Sequence, residues 1–153
     1  MNFFAKTLKN CSVAFYLIVA AFVAILVAFI GAIVSNGVVG YSIASFGWVI
    51  VLSLAAIFGT VLSCVLSQKV NNSLLSYIGL IVSIVACGVC FAIVLMTRAE
   101  LVGTLWITAL DSVNPLAVAA MNSGATSFIA YVIAMIMLVI AAFFPIVKKE
   151  NNA

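Results

Sequence analysis

Charge is what this chain of 153 residues has least of: six Lys/Arg and three Asp/Glu, 6% of the total. A soluble domain carries about 25% charged residues, so too few are present here to cover a water-facing surface. Histidine is absent altogether. That removes the commonest metal ligand and the usual acid/base of neutral pH, and with them any Ser–His or Cys–His nucleophile pair. Paired carboxylates would have to be Glu100 and Asp111, both in one connection and without a partnering base. The small basic excess, +3, is spread thinly, whereas nucleic-acid binders cluster their basic residues on one face. These shortages argue against an enzyme, a metal, a cofactor or a nucleic-acid partner.

What is abundant is hydrocarbon. Hydrophobic residues make up 68% of the chain, with a mean hydropathy of +1.46. Four runs without a charged residue stand out: about 12–34, 46–66, 74–96 and 127–147. Each has the roughly 20 residues that a membrane-spanning helix needs. In lipid a span must satisfy its own backbone hydrogen bonds, which selects helices or closed barrels. The runs are apolar on every side, without the alternation of a barrel strand. The expected fold is therefore an all-α integral membrane protein: one membrane domain over residues 1–153, a four-transmembrane-helix bundle whose immediate partner is the lipid bilayer.

The lysines suggest an orientation. Lys6 and Lys9 precede the first run, Lys69 lies in the second connection, and Lys148 and Lys149 follow the fourth run. Positive residues near span ends favour the cytoplasmic side, so both termini are expected there, with the first run kept as an uncleaved span.

Small residues recur along the runs. Ala21, Ala24, Ala28, Gly31 and Ser35 step by three and four, as do Ser76, Gly79, Ser83, Ala86 and Cys90, while Ala55, Gly59, Ser63 and Ser67 step by four. Association in lipid depends on close van der Waals approach, which small residues permit. These three faces are expected to meet, with Ala24, Ala28, Gly31, Gly59, Ser63, Gly79 and Ser83 as packing positions. The fourth run has a weaker small face (Ala130, Ala134, Ala141) and is left partly free for lipid or another subunit. Cys87 and Cys90 form a C-x-x-C, but mid-span and without further ligands they read as packing residues.

The third connection, 97–126, is long. It carries Arg98 and an apolar stretch with Trp106, suited to the headgroup region. It continues as "DSVNPLAVAAMNSG", where Asn114 can cap a helix, Pro115 fits its first position and Gly124 can end it. A short interfacial helix over about 115–122 is expected, with Asp111 near its positive end. Trp106, Asp111, Asn114 and Pro115 are the candidate interfacial or partner-contact residues.

The opening stretch, "FFAKTLKNCSVAFYLIVAAFVAILVAFI", resembles that of small four-span membrane proteins of unknown function from Firmicutes. The resemblance implies a bacterial cytoplasmic membrane and no assigned activity. With no charged residue expected inside the spans, ion-coupled transport lacks its usual titratable group. Two functional readings stay open. One is a non-catalytic accessory or scaffold subunit acting through helix contacts with other membrane subunits or its own copies. The other is an oligomeric transporter or channel for an uncharged or apolar solute, its path lined by hydroxyls.

Overall fold

The computed structural model of the chain describes residues 12–69, 73–108 and 114–144, and within them the side chains outside 67–69, 73–75 and 104–108. The described residues form four helices and no strand: α1 Val13–Asn36, α2 Phe46–Lys69, α3 Ser73–Thr108 and α4 Pro115–Ala142. All four contain stretches long and apolar enough to cross a membrane. At 1.5 Å per residue, α1 and α2 extend about 36 Å, α4 about 42 Å and α3 about 54 Å.

The helices pack in cyclic order, each against its chain neighbours, with α4 closing back on α1. Buried positions of α1 are Ala14, Ile18, Ala21, Ile25, Ala28, Ala32 and Ser35. Those of α4 include Ala117, Ala120, Gly124, Ser127, Tyr131, Ala134, Leu138 and Ala141. Both sets alternate steps of three and four, the period that holds one seam against a partner over many turns. The two helices run antiparallel: the Ser35 hydroxyl donates to the Ala120 carbonyl at 2.9 Å, and the Ser127 hydroxyl to that of Ala28 at 2.7 Å.

The α2–α3 hairpin uses the same device. Ser76, Ser83 and Cys90, at seven-residue intervals on α3, donate to the carbonyls of Ser63, Ala56 and Val49 on α2. The Ser63 hydroxyl returns a bond to the Ser76 carbonyl at 2.9 Å. The contact is reciprocal around two glycines. A Cβ at Gly59 would run into Ser83 Oγ and the Gly79 carbonyl, and one at Gly79 into Ser63 Oγ and the Gly59 carbonyl. Only glycine lets the two backbones approach this closely, the usual role of small residues between helices in lipid.

Three expectations are corrected here. No separate interfacial helix covers 115–122. Asn114 does cap a helix, accepting from Ala117 N at 3.3 Å with Pro115 in the first turn, but that helix continues to Ala142. Gly124 does not end it, because the buried face of this helix runs through that glycine, where the Arg98 side chain of α3 packs against it. The third connection is mostly helix, since α3 extends to Thr108, twelve residues past the expected span end at Met96. The fourth helix is not the weakly packed one: its contact with α1 is the broadest in the bundle.

The α1–α2 connection closes one end. Asn36 Oδ1 accepts from Ile43 N at 2.8 Å, and Ile43 is buried. Two residues here take left-handed backbone, Gly40 at φ 83° and Ser45 at φ 58°.

Candidate functional site

Large apolar side chains exposed on the bundle run from Val13 to Val34 on α1, Trp48 to Val65 on α2, Ile78 to Met96 on α3 and Ile129 to Ile140 on α4, with Phe143 and Phe144 just past its end. Beyond this belt, Val39 in the first connection and Leu116 at the start of α4 are also exposed. Arg98 sits two residues past Met96, and it is only 3% exposed. The span of α3 that is apolar enough to cross a membrane, Ser76–Gly103, includes it. The expectation that Arg98 belongs to a loop is thus corrected: α3 continues past it and carries Arg98 into the bundle.

The stem of Arg98 crosses α4 at Gly124, where an added Cβ would come within 2.7 Å of Arg98 Cγ. Beyond that notch the guanidinium reaches α1 and the first connection. Nε donates to Ser35 Oγ at 2.9 Å, and Nη2 donates to the carbonyls of Ser35 at 2.9 Å and Tyr41 at 2.8 Å. Ser35 lies in the last turn of α1, whose final carbonyls have no intrahelical donor. A cation at a helix C-terminus is also favoured by the helix dipole, so Arg98 completes α1 from another helix. Asn114 Nδ2 adds a bond to Tyr41 Oη at 2.8 Å. Arg98 and Asn114 together fasten the first connection to the α3–α4 side.

A second polar bridge crosses the middle of the bundle. Tyr131 of α4 is fully buried and lies 2.6 Å from Ser53 Oγ of α2. Cys90 Sγ approaches the same Ser53 hydroxyl at 3.6 Å. Helices α2 and α4 are not neighbours in the ring, and neither are α1 and α3. Tyr131–Ser53 and Arg98–Ser35 therefore brace the two diagonals. No buried side-chain nitrogen or oxygen among the described residues lacks a hydrogen-bond partner.

The expected site residues fall differently. Asn114 belongs to the Arg98 cluster, and Pro115 is exposed beside it. Trp106 lies on α3 with its side chain outside the described residues, and Asp111 lies outside them entirely, as do Lys6, Lys9, Lys148 and Lys149. Of the packing positions, Ala28, Gly59, Ser63, Gly79 and Ser83 lie in the two seams. Gly31 fits against Ser123 and Ser127 of α4, and Ala24 packs at the edge of the core. On α2 the buried alanine is Ala56, while Ala55 is half-buried, because the seam keeps a seven-residue rather than a four-residue step. Cys87 and Cys90 are buried, and the described residues contain no group of three or more His, Cys, Asp or Glu able to hold a metal.

Sequence reading placed Ser35 on the packing face of the first span, where it is buried, but missed the cluster that joins Arg98 to Ser35 and Tyr41 over Gly124, and the Ser53–Tyr131 pair. The return of apolar residues after Glu100 was the available sign that α3 continues. The small residues at 117, 120 and 124 were the sign that α4 begins early. Nothing in one sequence pairs Ser53 with Tyr131. Compared with protein-family models, curated proteins and solved structures, the chain matches none of them.

Proposed function

We propose that this chain is a non-catalytic accessory or scaffold subunit of a membrane complex, acting through the outside of a rigid four-helix bundle. One observation carries the reading. The buried hydroxyls of Ser35, Ser63, Ser76, Ser83 and Ser127 are all committed to carbonyls of neighbouring helices, and that of Ser53 meets Tyr131. A hydroxyl that bonds backbone across a seam holds helices together and is not available to conduct a solute. The reading as a channel for uncharged solutes needs those same hydroxyls to line a path, and it is the weaker for this.

In the proposed setting the apolar belt occupies the hydrocarbon of a bacterial cytoplasmic membrane. Its length on α1 and α3, roughly 28–33 Å at 1.5 Å per residue, suits a core of about 30 Å. The lysine-bearing end faces the cytoplasm, and the Arg98 end faces outward, where partners in the membrane would meet the projecting ends of α3 and α4.

Affinity purification in a mild detergent, with identification of co-purifying subunits, tests the proposal. A defined membrane partner in stable ratio is the expected result. Recovery of a monodisperse monomer alone would overturn it. Cysteine labelling from each side of the membrane checks orientation, and an outward-facing Lys69 connection would reverse it.

A further inference from the structure

We propose that the outer face of α4 around Asn122 is a contact surface for a second copy of this chain, joined by reciprocal hydrogen bonds between the two Asn122 carboxamides. The inference rests on the membrane placement of the apolar belt and deepens the subunit reading by naming one partner, a copy in the same orientation.

Two bonds between antiparallel helices set the level of this residue. Ser35 meets Ala120 and Ser127 meets Ala28, so Asn122 and Thr126 stand about level with Ile33 and Phe29 of α1. There α1 turns Ile30, Ile33 and Val34 outward. The Arg98 guanidinium, bonded to Ser35, reaches the level of Ala120. Asn122 therefore lies on the apolar side of that charge. It is exposed, and its carboxamide has no hydrogen-bond partner among the described residues, although its backbone carbonyl accepts from Thr126 at 3.0 Å. In the belts of α1, α2 and α3 the exposed side chains are apolar save Tyr16 and Trp48, residue types that suit the membrane interface. An amide left unbonded against lipid costs its desolvation. Asn122 is thus the outward side chain that lipid serves worst.

The occupant follows from what a carboxamide is. It carries N–H donors and a carbonyl acceptor together, so a two-fold axis that brings the same residue to itself satisfies both at once. A foreign helix would have to supply a matching amide at this depth, whereas a copy supplies it by symmetry. Ala119, Ser123 and Ala125 around Asn122 are small, which permits close approach. From Asn122 the outward positions continue through Thr126, Ile129, Ile133, Ile136 and Ile140 in steps of four and three, all exposed. That spacing keeps two helices in register along a left-handed crossing, and one Asn in an apolar seam fixes the alignment and number of chains.

The experiment follows the full chain in phosphatidylcholine–phosphatidylglycerol vesicles, with the dimer fraction read by single-molecule photobleaching as protein is diluted in lipid. Asn122→Leu is expected to weaken the dimer about tenfold, while Asn122→Gln, which keeps a carboxamide, retains most of the affinity. Circular dichroism checks that both variants keep their helices. With native cysteines replaced, Ala119→Cys is expected to form a disulfide between copies, and Ile30→Cys, exposed at a similar level on α1, is not. A monomer at every dilution would overturn the inference. So would a dimer that Asn122→Leu leaves unchanged or that cross-links through Ile30→Cys. If a foreign subunit still co-purifies while the chain does not pair with its own copies, the contact between copies is wrong and the subunit reading stands.

Discussion

Gly59 and Gly79 lie where the backbones of α2 and α3 come closest, so a single methyl group probes that contact. Gly59→Ala puts a carbon against Ser83 Oγ and the Gly79 carbonyl, a backbone atom that cannot rotate away. Overpacking of this kind typically costs about 1–3 kcal/mol. Gly103, also on α3, has nothing within 4 Å of an added Cβ. Its replacement by alanine is expected to be neutral or to stabilise by up to about 1 kcal/mol, the helix-propensity difference. Thermal or denaturant unfolding in the same detergent checks both, and equal effects would contradict the close approach. Ser53 and Tyr131 call for a double-mutant cycle. Ser53→Ala and Tyr131→Phe each remove one end of the same bond, so their combination is expected to fall short of additivity by about 0.6–1.7 kcal/mol. The glycines and serines of the seams were visible in the sequence as stripes, because close packing leaves a compositional trace. Arg98 was misplaced because a charge after a long apolar run looks like the end of a span. Only the chain of contacts over Gly124 to Ser35 shows that it is the helix that continues.

At the level of elements, α4 differs most from its sequence reading. The cap at Asn114 was legible, since Asn followed by Pro is a strong helix start. Its continuity with the fourth span was not, because Asn122, Ser123 and Gly124 resemble a turn when read locally. Tertiary packing decides the matter: Ala120 and Ser127 bond to α1, Gly124 receives the Arg98 stem of α3, and the Ser123 hydroxyl bonds back to Ala119 at 2.7 Å. This makes the cap a test of the whole helix. Asn114→Ala is expected to cost about 1 kcal/mol and to loosen the first connection, because the Asn114 side chain serves both the helix and Tyr41. Hydrogen exchange of residues 37–45 reads the second effect. Exchange confined to the first turn of α4 would show that the two are not linked.

For the whole molecule, four apolar helices followed directly from composition and run length, while their partnership did not. Three striped spans suggested a core of α1, α2 and α3, yet the seam of greatest extent joins the first helix to the last. Disulfide trapping tests this arrangement: Ala28→Cys with Ser127→Cys is expected to cross-link, whereas Ala28→Cys with Gly103→Cys is not. Failure of the first pair under conditions that trap an α2–α3 control would contradict the ring order. The α1–α4 seam also sets a timetable during synthesis. In the proposed membrane setting the α2–α3 hairpin can close as soon as it is made, but α1 would enter the bilayer long before its main partner exists. Some 106 residues separate Asn36 from Ala142, which at about 5–20 residues per second is a wait of roughly 5–20 s. Through that interval the alanine face of α1 stands open to whatever else the membrane offers, so a chain cut after α3 should be the form that chaperones and membrane proteases hold or destroy.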